Sequence, residues 1–212
     1  MTARLDHLVV AAADLSSGSA WLEARLGVAL SPGGAHPRMG THNRVLRLGD
    51  GVYLELIAID PAASPPGRPR WFGLDAPDLA VRLAERPRLV AWAAATDDLA
   101  AAVAGAPVPV GTVHEMTRGD LVWRIAVPDD GALVEGGTVP TLIEWPEGVH
   151  PTRRMPEAGC SLKRLALHHP DPARLATIFA AIGLADRAVR VAAGPVSLAA
   201  DLETPGGPVR LD

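Results

Sequence analysis

The sequence predicts an α+β protein assembled from repeated βαβββ modules. Three observations carry that prediction. A strand–helix–strand–strand–strand order can be read over residues 5–60, and it returns over residues 88–146 after a Pro-rich stretch. A shorter third pass, a degenerate βαβββ-like module, occupies residues 160–212. Each pass opens its helix on an aspartate (Asp14, then Asp97 or Asp98, then Asp171), so the copies can be overlaid by their helix-capping acids.

In chain order, Leu5 to Val10 carries Asp6 and His7 in an apolar run and reads as a strand. Asp14 then caps a helix that runs to about Leu26 and is stopped by Gly27. Val28 to Ser31 follows as a strand, with a Gly/Pro-rich loop through Pro37. Asn43 to Leu48 and Val52 to Ile59 are two strands joined by Asp50-Gly51, a strong two-residue hairpin signal. Beyond the stretch Pro61 to Pro69, the second pass places strands at Leu89 to Ala95, Val108 to Met116, Leu121 to Val127 and Thr138 to Trp145. The third has a strand at Leu162 to Leu167, a helix after Pro170-Asp171-Pro172 ending near Gly183, and short strands near 189–191, 196–202 and 209–211. Residues 1–150 therefore read as a paired unit and 160–212 as a shorter partner.

At 212 residues with 48% hydrophobic composition, the chain can bury a sizeable core. A net charge of -4 and a pI near 6.0, with arginines scattered among acids, argue against nucleic acid as a partner. Met1 to Leu8 runs straight into a strand with no basic-then-apolar leader, and no apolar run approaches the ~20 residues that span a bilayer. A cytoplasmic protein that does not enter membranes is the expectation. Cys160 is the single cysteine, which excludes an internal disulfide and a thiolate metal cluster. It sits in an apparent loop with no histidine nearby in sequence, so it reads as structural rather than nucleophilic.

Strand parity selects the residues that can carry chemistry, because positions two apart share a face. His7 and Val9 share one face of the first strand, with Leu8 and Val10 on the other. Tyr53, Glu55 and Ile57 likewise oppose Leu54 and Leu56. A glutamate inside an apolar strand is costly without a partner, which makes His7 and Glu55 the best candidates for a converging polar pair. Asn43 and Arg47 share a strand face and can line a pocket; Arg124, between Trp123 and Ile125, offers a donor fork to a carboxylate or covers an exposed sheet face. The overlay sets His7 opposite Ala91 and Arg164, and Glu55 opposite Glu144. His36 and His42 read as loop histidines, and His168-His169 as a strand end. The five tryptophans read as packing, with Trp71-Phe72 in the linker alternatively a lid. No Gly-x-Gly-x-x-Gly, Walker loop or Gly-x-Ser-x-Gly is present, so no nucleotide cofactor and no serine hydrolysis are expected.

Taken together, Leu5-Asp6-His7-Leu8-Val9-Val10, His36-Pro37 with Gly40-Thr41-His42-Asn43, Tyr53-Leu54-Glu55-Leu56-Ile57 and Leu142-Ile143-Glu144-Trp145 resemble the glyoxalase-like branch of the vicinal-oxygen-chelate superfamily. The resemblance covers nearly the whole chain. It implies cupped mixed sheets with helices on the convex side, and a divalent metal held inside the cup by a first-strand His and a fourth-strand Glu. Carried over residue by residue, His7, Glu55 and Glu144 become the implied metal ligands, with Glu55 and Glu144 as the catalytic carboxylates and Asn43, Arg47, Tyr53 and Arg124 as substrate-binding residues. Ala91 departs from the pattern where a second His is usual. One nitrogen and two carboxylates would suit Mg²⁺ or Mn²⁺ better than a thiol-seeking ion, with Zn²⁺ the remaining candidate.

Two functions are consistent with this reading. The first is an enzyme of lyase, isomerase or dioxygenase type acting on a small oxygen-bearing metabolite, with a metal polarising a carbonyl or enolate. The second is a metal-free module of the bleomycin-resistance type that sequesters a small compound, which the alanine at position 91 favours. The expected partner in either case is a small-molecule ligand; a homodimer is left open.

Overall fold

A computed structural model describes residues 1–212. The chain forms twelve strands and four α-helices: β1 (Ala3–Ala11), α1 (Leu15–Leu26), β2 (Ser31–His36), β3 (Thr41–Gly49), β4 (Val52–Ile59), α2 (Pro77–Glu85), β5 (Arg88–Thr96), α3 (Leu99–Gly105), β6 (Thr112–Arg118), β7 (Leu121–Val127), β8 (Thr141–Glu144), β9 (Ser161–His169), α4 (Pro172–Ala181), β10 (Val189–Ala193), β11 (Ser197–Thr204) and β12 (Gly207–Leu211). Eight strands make one sheet in the order β2-β3-β4-β1-β5-β8-β7-β6. Its halves, β2-β3-β4-β1 and β5-β8-β7-β6, meet where β1 runs antiparallel to β5. The pairs His7–Ala93 and Val9–Ala91 exchange under the local pseudo-twofold axis, so Ala91 does stand where His7 stands in the first half.

The sheet curls until its two edges approach. Arg38, just after β2, donates to the Glu115 carbonyl of β6 at 2.8 Å. Gly34 of β2 packs so closely on Arg118 of β6 that a Cβ there would lie 2.8 Å from its Cγ. The result is an α+β half-barrel. Helices α1 and α3 pack on the convex face, where Leu22 and Leu26 are fully buried against β-strand leucines such as Leu46, Leu54 and Leu56. Each such leucine contributes about 2 kcal/mol by leaving water. Helix α1 begins and ends where its sequence dictates: Asp14 accepts from the Ser17 amide at 2.8 Å, and Gly27 closes it at φ 69°.

Residues 161–211 form a separate sheet, β10-β9-β11-β12, whose Leu165, Leu167, Leu198 and Leu202 join the same convex core. Its element order is again βαβββ, but its pairing differs. The first strand, β9, sits between β10 and β11, whereas β1 and β5 each pair with the last strand of their own half.

The concave face is closed by the linker. Trp71, Phe72 and Leu74, with Leu79 and Leu83 of α2, pack against Val9, Ile57, Ala91, Ala93, Trp123, Ile125 and Ile143. Helix α2 has no counterpart in the sequence reading, which stops at the prolines preceding it. Pro77 at its first turn and the four-residue spacing of Leu79 and Leu83 are the signals that mark it. Strand β2 also departs from expectation, falling at Ser31–His36 within the segment read as a loop. It is the outermost strand, so Pro32 forfeits no interior ladder bond, and the pairing skips Gly33 and Gly34 in a bulge. No helix is long and apolar enough to cross a membrane.

Candidate functional site

A β-bulge builds the site. On β1, Leu5 pairs with Ala94 and His7 with Ala93, which leaves Asp6 as the extra residue. Parity is broken there, and the neighbouring side chains Asp6 and His7 meet, both buried at 1% and 3% exposure. His7 Nδ1–H donates to Asp6 Oδ1 at 2.6 Å. The other Asp6 oxygen accepts from Trp145 Nε1 at 2.9 Å and His150 Nε2 at 3.0 Å. Burial alone would raise the Asp6 pKa, but the hydrogen bonds from His150 and His7 outweigh it and hold the carboxyl at about 2. The group is thus a fixed anion under an imidazole.

With Nδ1 committed to Asp6, the His7 ring turns Nε2 toward Glu55, whose Oε2 lies 3.7 Å away, beyond a hydrogen bond. The ring stacks on Tyr53, its register partner on β4, with centroids 4.6 Å apart. Burial pushes the Tyr53 phenol well above its ordinary pKa. Glu55 is fixed from its other oxygen: Asn43 Nδ2 donates to Oε1 at 2.5 Å, and the Asn43 Oδ1 accepts from the Gly34 amide at 2.9 Å. His7, Tyr53 and Glu55 line one small cavity with His36, Arg118, Trp71, Phe72, Trp123 and Trp145. Its volume is about 20 Å³.

The sequence-selected residues divide sharply. His7, Glu55 and Tyr53 converge, and Asn43 supports Glu55 from behind. Arg47 does not reach the cavity: it pairs with Asp50 at 2.5 Å beside the β3–β4 turn. Glu144 and Arg124 face the opposite side of the sheet, bonded to each other at 2.6 Å. Glu144 Oε2 also accepts from the Leu99 amide at 2.8 Å, capping α3. The physical reason is parity, since Ile143 of β8 lines the cavity and its neighbour must point away. Glu55 pairs with Val9, and Ala93, the counterpart of Val9, pairs with Thr141. The true match of Glu55 is therefore Thr141, three residues before Glu144.

These placements decide how well the residues fit a divalent cation. The cavity offers His7 Nε2 and Glu55 Oε2, the His36 nitrogens being turned to Thr41 and Asn43, while the counterpart positions hold Ala91 and Thr141, and no group of three or more His, Cys, Asp or Glu converges. Two donors fall short of the three protein ligands usual for a catalytic ion. The space leaves no room for several metal-bound waters, each of which needs roughly 10–15 Å³ of cavity. The donor set does not fit the implied metal.

Four site residues are not among those the sequence selects. Asp6 was hidden by the bulge, and His150 lies past the last strand of its half. Arg118, on the far edge strand, reaches the cavity only because the sheet curls. His36 ends β2 rather than lying in a loop; burial lowers its pKa to about 4, against the opposing pull of Glu55. Elsewhere, His42 lies 4.0 Å from Asp60, His169 contacts Glu135 at 3.2 Å, and the buried Cys160 thiol has its pKa raised by that burial.

A curled half-barrel of paired β-strand halves, with a buried histidine and carboxylate inside its cup, is the arrangement that the resemblance to a glyoxalase-like domain implies. A family model described as "Glyoxalase-like domain" matches residues 5–183, and the chain belongs to that family. Among solved structures it resembles a hypothetical protein from Staphylococcus aureus, with 14% identity, 100% and 99% of the two chains covered, and a TM-score of 0.64. It is also similar to methylmalonyl-CoA epimerase from Mycobacterium tuberculosis, at 22% identity over 67% of this chain and 87% of that one, with a TM-score of 0.42. A Streptomyces coelicolor methylmalonyl-CoA epimerase variant in complex with 2-nitronate-propionyl-CoA shares 20% identity over 71% of this chain and 99% of that one, with a TM-score of 0.42. No curated protein matches the chain.

Proposed function

We propose that the chain is an enzyme moving a proton on a small oxygen-bearing molecule, with His7 as the general base and Glu55 as the second proton-handling group. The observation that carries this reading is the Asp6–His7 dyad. A buried carboxylate fixes the tautomer of an imidazole whose other nitrogen faces a cavity, which is the arrangement a general base requires. Asp6 acts as an orienting anion and remains ionised. Tyr53 holds the ring plane by stacking, and Asn43 keeps one Glu55 oxygen turned away so that the other faces His7.

The test is exchange of activated C–H protons in D₂O, followed by proton NMR over a panel of α-keto acids and α-hydroxy ketones. The protein should accelerate exchange on at least one class, and His7→Gln should lower that rate by a hundredfold or more, roughly the usual worth of a positioned base. Exchange that persists in His7→Gln would remove His7 from the mechanism. The donor count also predicts that protein supplied with excess Mn²⁺, Zn²⁺ or Mg²⁺ retains well under one ion per chain. An ion retained stoichiometrically and lost in Glu55→Gln would reinstate a metal at this site.

A second reading, a sequestering protein, is favoured by the aromatic seal that Trp71 and Phe72 place over the cup. It becomes the better account if ligands bind and no C–H exchange is found.

A further inference from the structure

The cavity beside His7, at about 20 Å³, has space for roughly one water. A second cavity of about 20 Å³ lies toward the other half of the cup, lined by Ala91, Val127, Val139 and Thr141. Trp71 and Phe72 line both. They form a stacked pair, ring centroids 5.3 Å apart, and fill the space between the His7 side and the Ala91 side. Removing the pair would merge the two cavities into one cleft across the centre of the sheet.

Three features mark this pair as a displaceable occupant. The Trp71 indole Nε1 is buried without any acceptor, so its desolvation is left uncompensated. Phe72 is a non-glycine residue at φ 57°, left-handed backbone that its Cβ disfavours. The segment docks on the second half through the Arg68 guanidinium on the Pro128 carbonyl at 2.9 Å and the Gly73 amide on the Gly131 carbonyl at 2.8 Å, while the two rings make no hydrogen bond of their own and can swing without breaking one.

The walls left behind are chemically specific. Tyr53, Trp123, Trp145 and His36 present aromatic surface, with Ile125 and Ile143 between them. Arg118 lines the same cavity and makes no ion pair and no side-chain hydrogen bond in the structure, and Glu55, the carboxylate sharing that cavity, is held by Asn43 instead. A guanidinium without a counter-ion beside an aromatic box calls for a flat ring carrying negative charge.

We infer that the site takes a small planar aromatic anion, an aromatic carboxylate or phenolate, whose ring replaces Trp71 and Phe72 and whose oxygens pair with Arg118. The inference rests on the acid–base reading of His7 only in placing the ligand against that residue. The ring lies in the merged cleft, the anionic end points to the β6 edge, and the intervening atoms face His7 Nε2.

Isothermal titration of the full-length protein with 2-naphthoate, 2-naphthamide and cyclohexanecarboxylate tests this. 2-Naphthoate should bind, and the neutral amide and the non-aromatic acid should each bind at least about tenfold more weakly, a difference of ~1.4 kcal/mol. Arg118→Gln should bring 2-naphthoate down to the level of the amide. Trp71→Ala should tighten 2-naphthoate by removing the occupant; Phe72→Gly, which also relieves the left-handed strain, makes the same test if Trp71→Ala does not fold. Equal binding of cyclohexanecarboxylate, an unchanged Arg118→Gln, or no binding in the wild type and in either linker variant overturns the inference. The two readings fail separately: C–H exchange on an aliphatic acid without 2-naphthoate binding removes the ligand class alone, whereas 2-naphthoate binding without any exchange removes the acid–base role alone.

Discussion

Asp6→Ala is expected to cost about 3–5 kcal/mol of folding stability, the range for breaking a buried charge cluster by removing one partner. The variant leaves His7 Nδ1, His150 Nε2 and Trp145 Nε1 inside the protein without the acceptor they share. Three elements lose their common anchor at once: the β1 bulge, the end of β8 and the turn carrying His150. Urea unfolding should show a lower midpoint with an unchanged slope, as expected when the native fold is retained but weakened. Glu144→Ala is the informative comparison. It removes a partly exposed pair and one helix-capping contact, so its cost should stay near 1 kcal/mol. Equal costs for the two variants would mean that Asp6 is not the anchor of the site.

That contrast shows where the sequence was readable. Periodicity and capping chemistry are local, so α1 could be placed from Asp14 and Gly27, and the β3–β4 hairpin from Asp50-Gly51. Parity along a regular strand is also local, and it placed Tyr53 and Glu55 on the cup side with Leu54 and Leu56 beneath the helices. A bulge is not local. Whether Asp6 joins His7 depends on one residue skipped against β5, and nothing in Leu5-Asp6-His7-Leu8 announces that skip. The overlay of Glu144 on Glu55 failed for a related reason. The two glutamates sit in similar apolar strings, but the loops before β4 and β8 differ, and the register with β1 and β5 assigns the equivalence to Thr141.

The linker was the other blind spot, and it bears on function most. Its prolines made it read as a connection between modules, but Trp71, Phe72, Leu79 and Leu83 are an apolar set that must be buried somewhere. The cup was the available surface. A chain that fills its own binding face with a segment holding a left-handed phenylalanine and an unpaired indole has a weakly seated occupant there, and ligand affinity then includes the cost of displacing it.

Acidification should weaken the fold in two steps, of which the first is assigned to His36. Its folded pKa, lowered by burial to about 4, lies below the ordinary 6.5. The unfolded chain therefore takes up a proton between these values that the folded chain refuses. The neutral ring contributes stability that is fully present above pH 6.5 and is lost as pH falls through about 4, a total of about 3 kcal/mol at 1.36 kcal/mol per unit. His36 is held among Trp71, Trp123, Thr41 and Asn43, with Arg118 close enough to oppose its protonation, and Glu55 offsets only part of the burial. The second step belongs to carboxylates with lowered pKa values, of which Asp6 is the buried one: its pKa is lowered from 3.8 to about 2, so its hydrogen-bonded anion is stabilising above pH 3.8 and is lost toward pH 2. The exposed Asp14, Asp97 and Asp120 and the partly exposed Glu135 and Asp201 shift in the same direction. Urea midpoints measured from pH 7.5 to pH 3 should fall most steeply between 6 and 4, about where the His36 shift places the change. His36→Gln should flatten that limb and leave the lower one, because an amide has no proton to take up. A profile that is level down to pH 4, or one equally steep in His36→Gln, would remove His36 as the origin of the first step.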